Sequence, residues 1–120
     1  MAGYVDLYIL PIRKKNMASY RRMANQFGKI IRSLGATEYR EFVGDDLEVK
    51  GMIPLPKKVK LERGEVMTFA LAGFQSKAHR NQVNKRVMED PRVKKMCDLC
   101  SSLFDCKRLV YGGFQTFIKT

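Results

Sequence analysis

The sequence predicts an α+β fold of the ferredoxin-like kind, an antiparallel sheet with two helices on one face. Three observations predict it. Four stretches alternate apolar and polar residues with a period of two, and helix-period stretches follow the first and third of them. The resulting order is strand-helix-strand-strand-helix-strand. Right-handed crossovers then put both helices on the same face and set the strand order 4-1-3-2. The other face of the sheet is left bare, and a second copy of the chain is its simplest cover.

The first strand is placed at residues 3–10, where Val5, Leu7 and Ile9 alternate with Tyr4, Asp6 and Tyr8, and Pro11 helps to end it. From about Lys14 the period changes. Met17, Tyr20, Ala24, Phe27, Ile31 and Leu34 form a helical stripe, and Gly35 is a natural C-terminal cap. Residues 36–43 alternate again, with Tyr39, Glu41 and Val43 on one side and Glu38, Arg40 and Phe42 on the other. The connector at 45–64 is long enough to bind, cover or pair with something, and Val59-Lys60-Leu61 is expected to form a short extra strand in it.

Residues 66–74 are almost continuously apolar, as in a strand inside a sheet. Ser76 caps a second helix whose stripe reads His79, Val83 and Val87, and Asp90-Pro91 breaks it. A short helical piece through Val93 and Met96 follows. The last strand spans 107–118, with Gly112-Gly113 allowing a bulge or the close approach of a neighbour.

At 120 residues and 45% hydrophobic composition the chain is one packed domain over residues 1–120, with no linker. No apolar run approaches membrane-spanning length, and Met1-Ala2 leads directly into the first strand, so neither a membrane span nor a secretory signal is expected. Three cysteines then read as reduced thiols in a cytoplasmic protein. Charge is the outlier: 23 Lys and Arg against 12 Asp and Glu give a net +11. Such a field attracts RNA, anionic lipid or acidic metabolites, and it describes association rather than fold.

His79 is the lone histidine and the candidate catalytic residue. It sits in the first turn of the second helix, where the positive end of the dipole favours a neutral ring able to accept a proton. Its place on the Val83 and Val87 stripe points it between helix and sheet, as a ligand contact or as a hydrogen-bonded histidine closing the core. Asp6, Tyr8, Tyr39, Arg40 and Tyr111 are the candidate ligand-binding residues, a carboxylate and phenols able to bind or deprotonate a small acidic organic molecule. The same tyrosines also suit a dimer interface, with Asp6 paired to Arg40 or Arg108.

Cys97, Cys100 and Cys106 lack a fourth ligand at zinc-site spacing, so no metal is expected. RNA-recognition domains share this element order, but their third strand carries a basic-Gly-aromatic signature that Val66-Met67-Thr68-Phe69-Ala70 lacks. Phosphate-binding Gly-rich loops, H-E-x-x-H and G-x-S-x-G are all missing from the sequence.

In order along the chain stand Tyr4-Val5-Asp6, Leu10-Pro11, Lys14-Lys15-Asn16, Tyr20-Arg21-Arg22-Met23-Ala24 and Glu38-Tyr39-Arg40-Glu41. Ser76-Lys77-Ala78-His79-Arg80, Val87-Met88, Asp90-Pro91-Arg92 and Tyr111-Gly112-Gly113-Phe114 follow. In this combination, over nearly the full length, the chain resembles the YbaA-like family of small bacterial proteins. The resemblance implies a dimeric α/β barrel, two such sheets closed face to face, and no established activity. Its wider superfamily includes haem-degrading and cofactor-free quinol monooxygenases, lactone isomerases and proteins without chemistry. The haem-degrading members use an Asn, Trp and His set. This chain has no Trp and carries Asp6 and Tyr8 where a strand-one Asn would stand, so only His79 carries over.

The function expected is therefore a homodimer that binds a small, partly apolar, anionic organic molecule between sheet and helices. No cofactor is expected. Any chemistry would resemble cofactor-free monooxygenation or isomerisation. The competing classes are a basic nucleic-acid-binding module and a structural or interaction dimer.

Overall fold

The computed structural model describes residues 3–120; Met1 and Ala2, where the reading of the chain's start begins, lie outside the described residues. The chain folds as β1 (Tyr4–Arg13), α1 (Met17–Ser33), β2 (Glu38–Val43), β3 (Glu65–Phe74), α2 (Lys77–Glu89), α3 (Pro91–Cys100) and β4 (Val110–Gln115). The strands make one antiparallel sheet in the order β2-β3-β1-β4, the order expected, read from the other edge.

Several boundaries differ from expectation, each for a local reason. β1 continues through Pro11, because β4 pairs with β1 only as far as Ile9 opposite Val110. In the alternation of the ladder the nitrogen of Pro11 faces the side where β4 has ended, so the missing N–H leaves no ladder bond unmade. The connector holds a single 3-10 turn at Leu55–Lys57 and no extra strand at Val59-Lys60-Leu61, because the amides of Lys58 and Val59 both turn back to the Leu55 carbonyl. The helical piece expected through Val93 and Met96 is present as α3; Pro91 opens it and the Asp90 carboxylate accepts the Arg92 N–H at 2.8 Å. β4 is half the predicted length. A 3-10 turn takes Cys106–Arg108, and Phe117 stands 93% exposed beyond the strand's end.

Other signals act as read. The Ser76 hydroxyl accepts the His79 N–H at 3.1 Å, and Gly35 ends α1 with φ at +125°. Gly113 lets the Tyr4 phenol lie against β4, where a Cβ would collide with it.

The register sorts the two faces of the sheet. Tyr4, Asp6, Tyr8, Leu10 and Ile12 of β1 share the helix-covered face with Thr68, Ala70 and Ala72 of β3, Tyr39 and Glu41 of β2, and Tyr111 of β4. Leu7, Ile9, Phe69, Leu71, Phe42 and Phe114 share the other face, which no helix covers. There Phe42 stacks on Phe69 with centroids 4.5 Å apart, and Phe114 is 54% exposed.

The core under the helices is split in two. One part gathers Ile30, Ile31, Phe74, Val83, Val87 and Val93; the other gathers Leu10, Ile12, Tyr20 and Ala24. Small side chains at Ala70 and Ala24 leave the space between them unfilled.

Candidate functional site

Two polar clusters stand on the helix-covered face. The first is built around Asp6, which is wholly buried. Its carboxylate accepts from Arg80 Nη1 at 3.1 Å, from the Tyr111 hydroxyl at 2.8 Å and from Asn84 Nδ2 at 3.3 Å. Arg80 also reaches the Tyr4 hydroxyl at 3.2 Å, lies over the Tyr4 ring at 4.9 Å and contacts the Tyr111 hydroxyl. The helical spacing of Arg80 and Asn84 turns both toward the sheet beside Val83. Partial burial and the adjacent Asp6 carboxylate push the Tyr111 phenol up to about 12. The Tyr8 ring lies tilted against it with centroids 5.0 Å apart, and burial followed by the Asp6 charge pushes its phenol well above the usual range.

The second cluster joins α1 to β2. The Tyr20 hydroxyl donates to Glu41 Oε1 at 2.5 Å and the Tyr39 hydroxyl to Glu41 Oε2 at 2.5 Å. Gly28 makes the arrangement possible, since a Cβ there would stand 2.7 Å from the Tyr39 ring. Burial raises the Glu41 carboxyl above the ordinary carboxylate range, opposed by the two tyrosine hydrogen bonds. Burial, then the Glu41 charge, raises both phenols in turn.

A cavity of about 250 Å³ fills the gap in the core. Its walls are mainly apolar, from Leu10, Met23, Phe27, Val93, Met96 and Phe104, and its polar groups come from Tyr8, Tyr20, Tyr39, Glu41 and Thr68. A larger, open groove of about 1470 Å³ runs along α1 and the β2 edge between Arg21, Lys29, Arg32 and Arg40. Tyr20, Tyr39 and Glu41 line both spaces, so the second cluster stands between cavity and groove. The smaller cavity, open to solvent on one side, gathers a few polar groups on an apolar wall and is the better ligand site.

The structure brings Asp6, Tyr8 and Tyr111 together as a patch, and Tyr39 meets Tyr8 across the cavity. Asp6 and Tyr8 lie on the helix-covered face of the sheet, while Tyr111, on the edge strand, is 48% exposed. Asp6 pairs with neither Arg40 nor Arg108. Arg40 points to the opposite face, 3.8 Å from Glu38 and over the Phe42 ring, because it is one residue out of phase with Tyr39. Arg108 is held by Glu65 at 2.6 Å. His79 is half-buried at the end of α2, where its Nδ1 accepts the Gln75 N–H at 3.0 Å and its ring meets Phe74 edge-on. It does not line the cavity.

Glu41, Tyr20, Arg80 and Asn84 were not singled out from sequence. The signal for Glu41 was present: an acid in phase with Tyr39 on the covered side of β2. Among the described residues no group of three or more His, Cys, Asp or Glu side chains is placed to hold a metal ion. Cys97 and Cys100 line the cavity, and the Cys100 thiol, raised chiefly by burial, lies 3.5 Å from the Met23 sulfur.

The fold and site together define an α+β protein with an antiparallel four-stranded sheet, helices on one face and a small cavity between them. Residues 3–105 match the family described as "Protein of unknown function (DUF1428)". The chain is 30% identical over 115 residues to "Uncharacterized protein YbaA" of Escherichia coli strain K12, covering 96% of this chain and 97% of that protein. The chain belongs to this YbaA-like family. Among solved structures it is similar to a NIPSNAP family protein of Agrobacterium tumefaciens, with TM-score 0.61, 20% identity and coverage of 95% of this chain and 85% of that one. It is also similar to the At3g17210 protein of Arabidopsis thaliana, with TM-score 0.60, 8% identity and 98% of each chain covered. At these identities the likeness is one of fold. No helix among the described residues is long and apolar enough to cross a membrane.

Proposed function

We propose that this chain is a small-molecule-binding protein that works as a homodimeric α/β barrel, with the ligand in the cavity between sheet and helices. The cavity carries the reading. A well-packed interior of this size has few voids larger than a water molecule. Here about 250 Å³ lies between two core clusters, with phenols and a carboxyl aimed into it. Tyr8 and Tyr39 contact the ligand, while Asp6 and Tyr111 fix the position of Tyr8.

Support for the barrel comes from the uncovered sheet face, where Leu7, Ile9, Phe69 and Leu71 lie in the two central strands. A second copy laid face to face would bury them. His79, the candidate read from sequence for catalysis, stands outside this cavity in the first turn of α2, where Nδ1 accepts from Gln75 and leaves Nε2 to act as a donor.

Native mass spectrometry of gently purified protein tests the binding reading, with Ala70→Leu as the control. The substitution adds a side chain to the cavity wall from a buried β3 position. A co-purifying molecule is expected on the wild-type chain and its loss on the variant. Retention by a folded Ala70→Leu variant would place the ligand elsewhere.

A further inference from the structure

We propose that Glu41 is the group that reads the ligand, and that the ligand is an uncharged molecule of about one ring bearing an O–H or N–H donor, with a simple phenol as the type. This rests on the cavity being the binding site. Tyr8 turns its hydroxyl toward Asp6, and the other hydroxyls around the cavity are committed in one direction. Tyr20 and Tyr39 each spend their single O–H on Glu41, and the Thr68 hydroxyl donates to the Leu10 carbonyl at 2.9 Å. Each Glu41 oxygen accepts one of those bonds and keeps a second lone pair. The wall is therefore richer in acceptors than in free donors, and a complementary ligand brings the donor.

Charge narrows the class further. No Lys or Arg lines the cavity among the described residues, although the chain carries 23 of them. An anionic ligand, the class suggested by the net charge, would bury a second negative charge beside Glu41 with no cation to offset it. A cationic ligand meets a chain of net +11, and a carboxylate already partly neutralised by two donors. The raised Glu41 carboxyl agrees with a carboxylate short of partners, which a ligand donor would supply. Size sets the scale of the part held inside the wall. At roughly 30 Å³ per water, 250 Å³ holds about eight waters, or one substituted ring.

The test uses the full chain with methyl-labelled methionine, following the Met23 and Met96 signals on titration with 4-methylphenol, toluene, benzoate and benzylamine. These four probes have similar size and differ in what they present to Glu41. We expect 4-methylphenol to shift both methyls and to bind about tenfold or more tightly than toluene, the worth of one hydrogen bond to a charged group. Benzoate and benzylamine should bind at least about tenfold more weakly than 4-methylphenol. In Glu41→Gln the preference for 4-methylphenol over toluene should fall below about threefold, and the exclusion of benzoate should ease.

Equal binding of toluene and 4-methylphenol would overturn the role of Glu41 and leave the cavity as the ligand site. Tightest binding of benzoate or benzylamine would overturn the ligand class. If no probe moves either methyl, both this inference and the cavity reading fall. The wild-type panel decides alone if Glu41→Gln does not fold.

Discussion

Asp6→Asn removes one charge from a buried pair while leaving the side chain's shape nearly unchanged. The Asp6 carboxylate is 0% exposed and the Arg80 side chain 14%. In the variant the guanidinium stays beneath α2 with no counter-charge, and its Nε already lacks a hydrogen-bond partner. The new NH2 group also faces donors from Arg80, Tyr111 or Asn84, where the carboxylate oxygens accepted. Breaking a buried ion pair from one side costs roughly 3 to 5 kcal/mol. Residual exposure of Arg80 argues for the lower end, about 3 kcal/mol. For a domain of this length that is a fall in Tm of about 12 °C. Removing both charges as Asp6→Leu with Arg80→Met should return stability to within about 1 kcal/mol of wild type, since neither charge is then stranded. The assay is urea unfolding followed by circular dichroism at pH 7, at one fixed protein concentration because a dimer's stability depends on it. A loss below about 1 kcal/mol for Asp6→Asn, with a double variant no better than the single one, would refute the reasoning.

Three further outcomes are expected. Leu71→Lys, on the uncovered sheet face, should convert a particle of twice the 13.8 kDa chain mass into one of chain mass by light scattering; a wild-type monomer at micromolar concentration would remove the barrel. Because Glu41 has a folded-state pKa above its ordinary 4.5, the native state holds this proton more tightly than the unfolded state. Its contribution therefore falls as pH rises through the window above 4.5, so Glu41→Gln should gain stability relative to wild type between pH 4 and pH 7, and parallel pH curves would contradict it. His79→Gln should keep an acceptor near the Gln75 N–H and leave the melting temperature nearly unchanged, whereas His79→Phe should cost about 1 kcal/mol; if both variants also retain whatever co-purifies, His79 has no part in binding.

Periodicity made the sheet legible because β1 alternates cleanly enough to fix its face and the continuous apolar run of β3 marks a strand inside the sheet; one residue's slip would have exposed Asp6 to the other side. Tyr39 and Arg40 were both expected at the site, yet adjacent strand residues point to opposite faces, and only Tyr39 reaches the cavity. The partner of Asp6 was not legible for a different reason. Arg80 lies beside His79 in a helix read by its apolar stripe alone, and 74 residues of chain separate it from Asp6. Pairing at that range depends on how α2 rolls against the sheet, which periodicity does not specify. The split in the core was equally hidden, because small residues such as Ala24 and Ala70 read as ordinary core.

The two acids on the helix-covered sheet face, Asp6 buried and Glu41 half-buried, differ in what surrounds them, and that difference assigns their roles. Asp6 has a guanidinium, an amide and a phenol closing on it, a fully partnered group that ties α2 and β4 to β1. Glu41 is hydrogen-bonded by two phenols and by no cation, and it borders both the small apolar cavity and the wider groove. A carboxyl held above its usual range without a counter-charge is costly for stability alone, and such groups concentrate where a ligand completes the set. The positive charge of the chain lies outside this chemistry: Arg21, Lys29, Arg32 and Arg40 line the groove and none of them lines the cavity. The field that a partner meets on approach and the wall that a ligand meets on arrival are thus of opposite character. A neutral molecule with a hydrogen to donate satisfies the second without depending on the first.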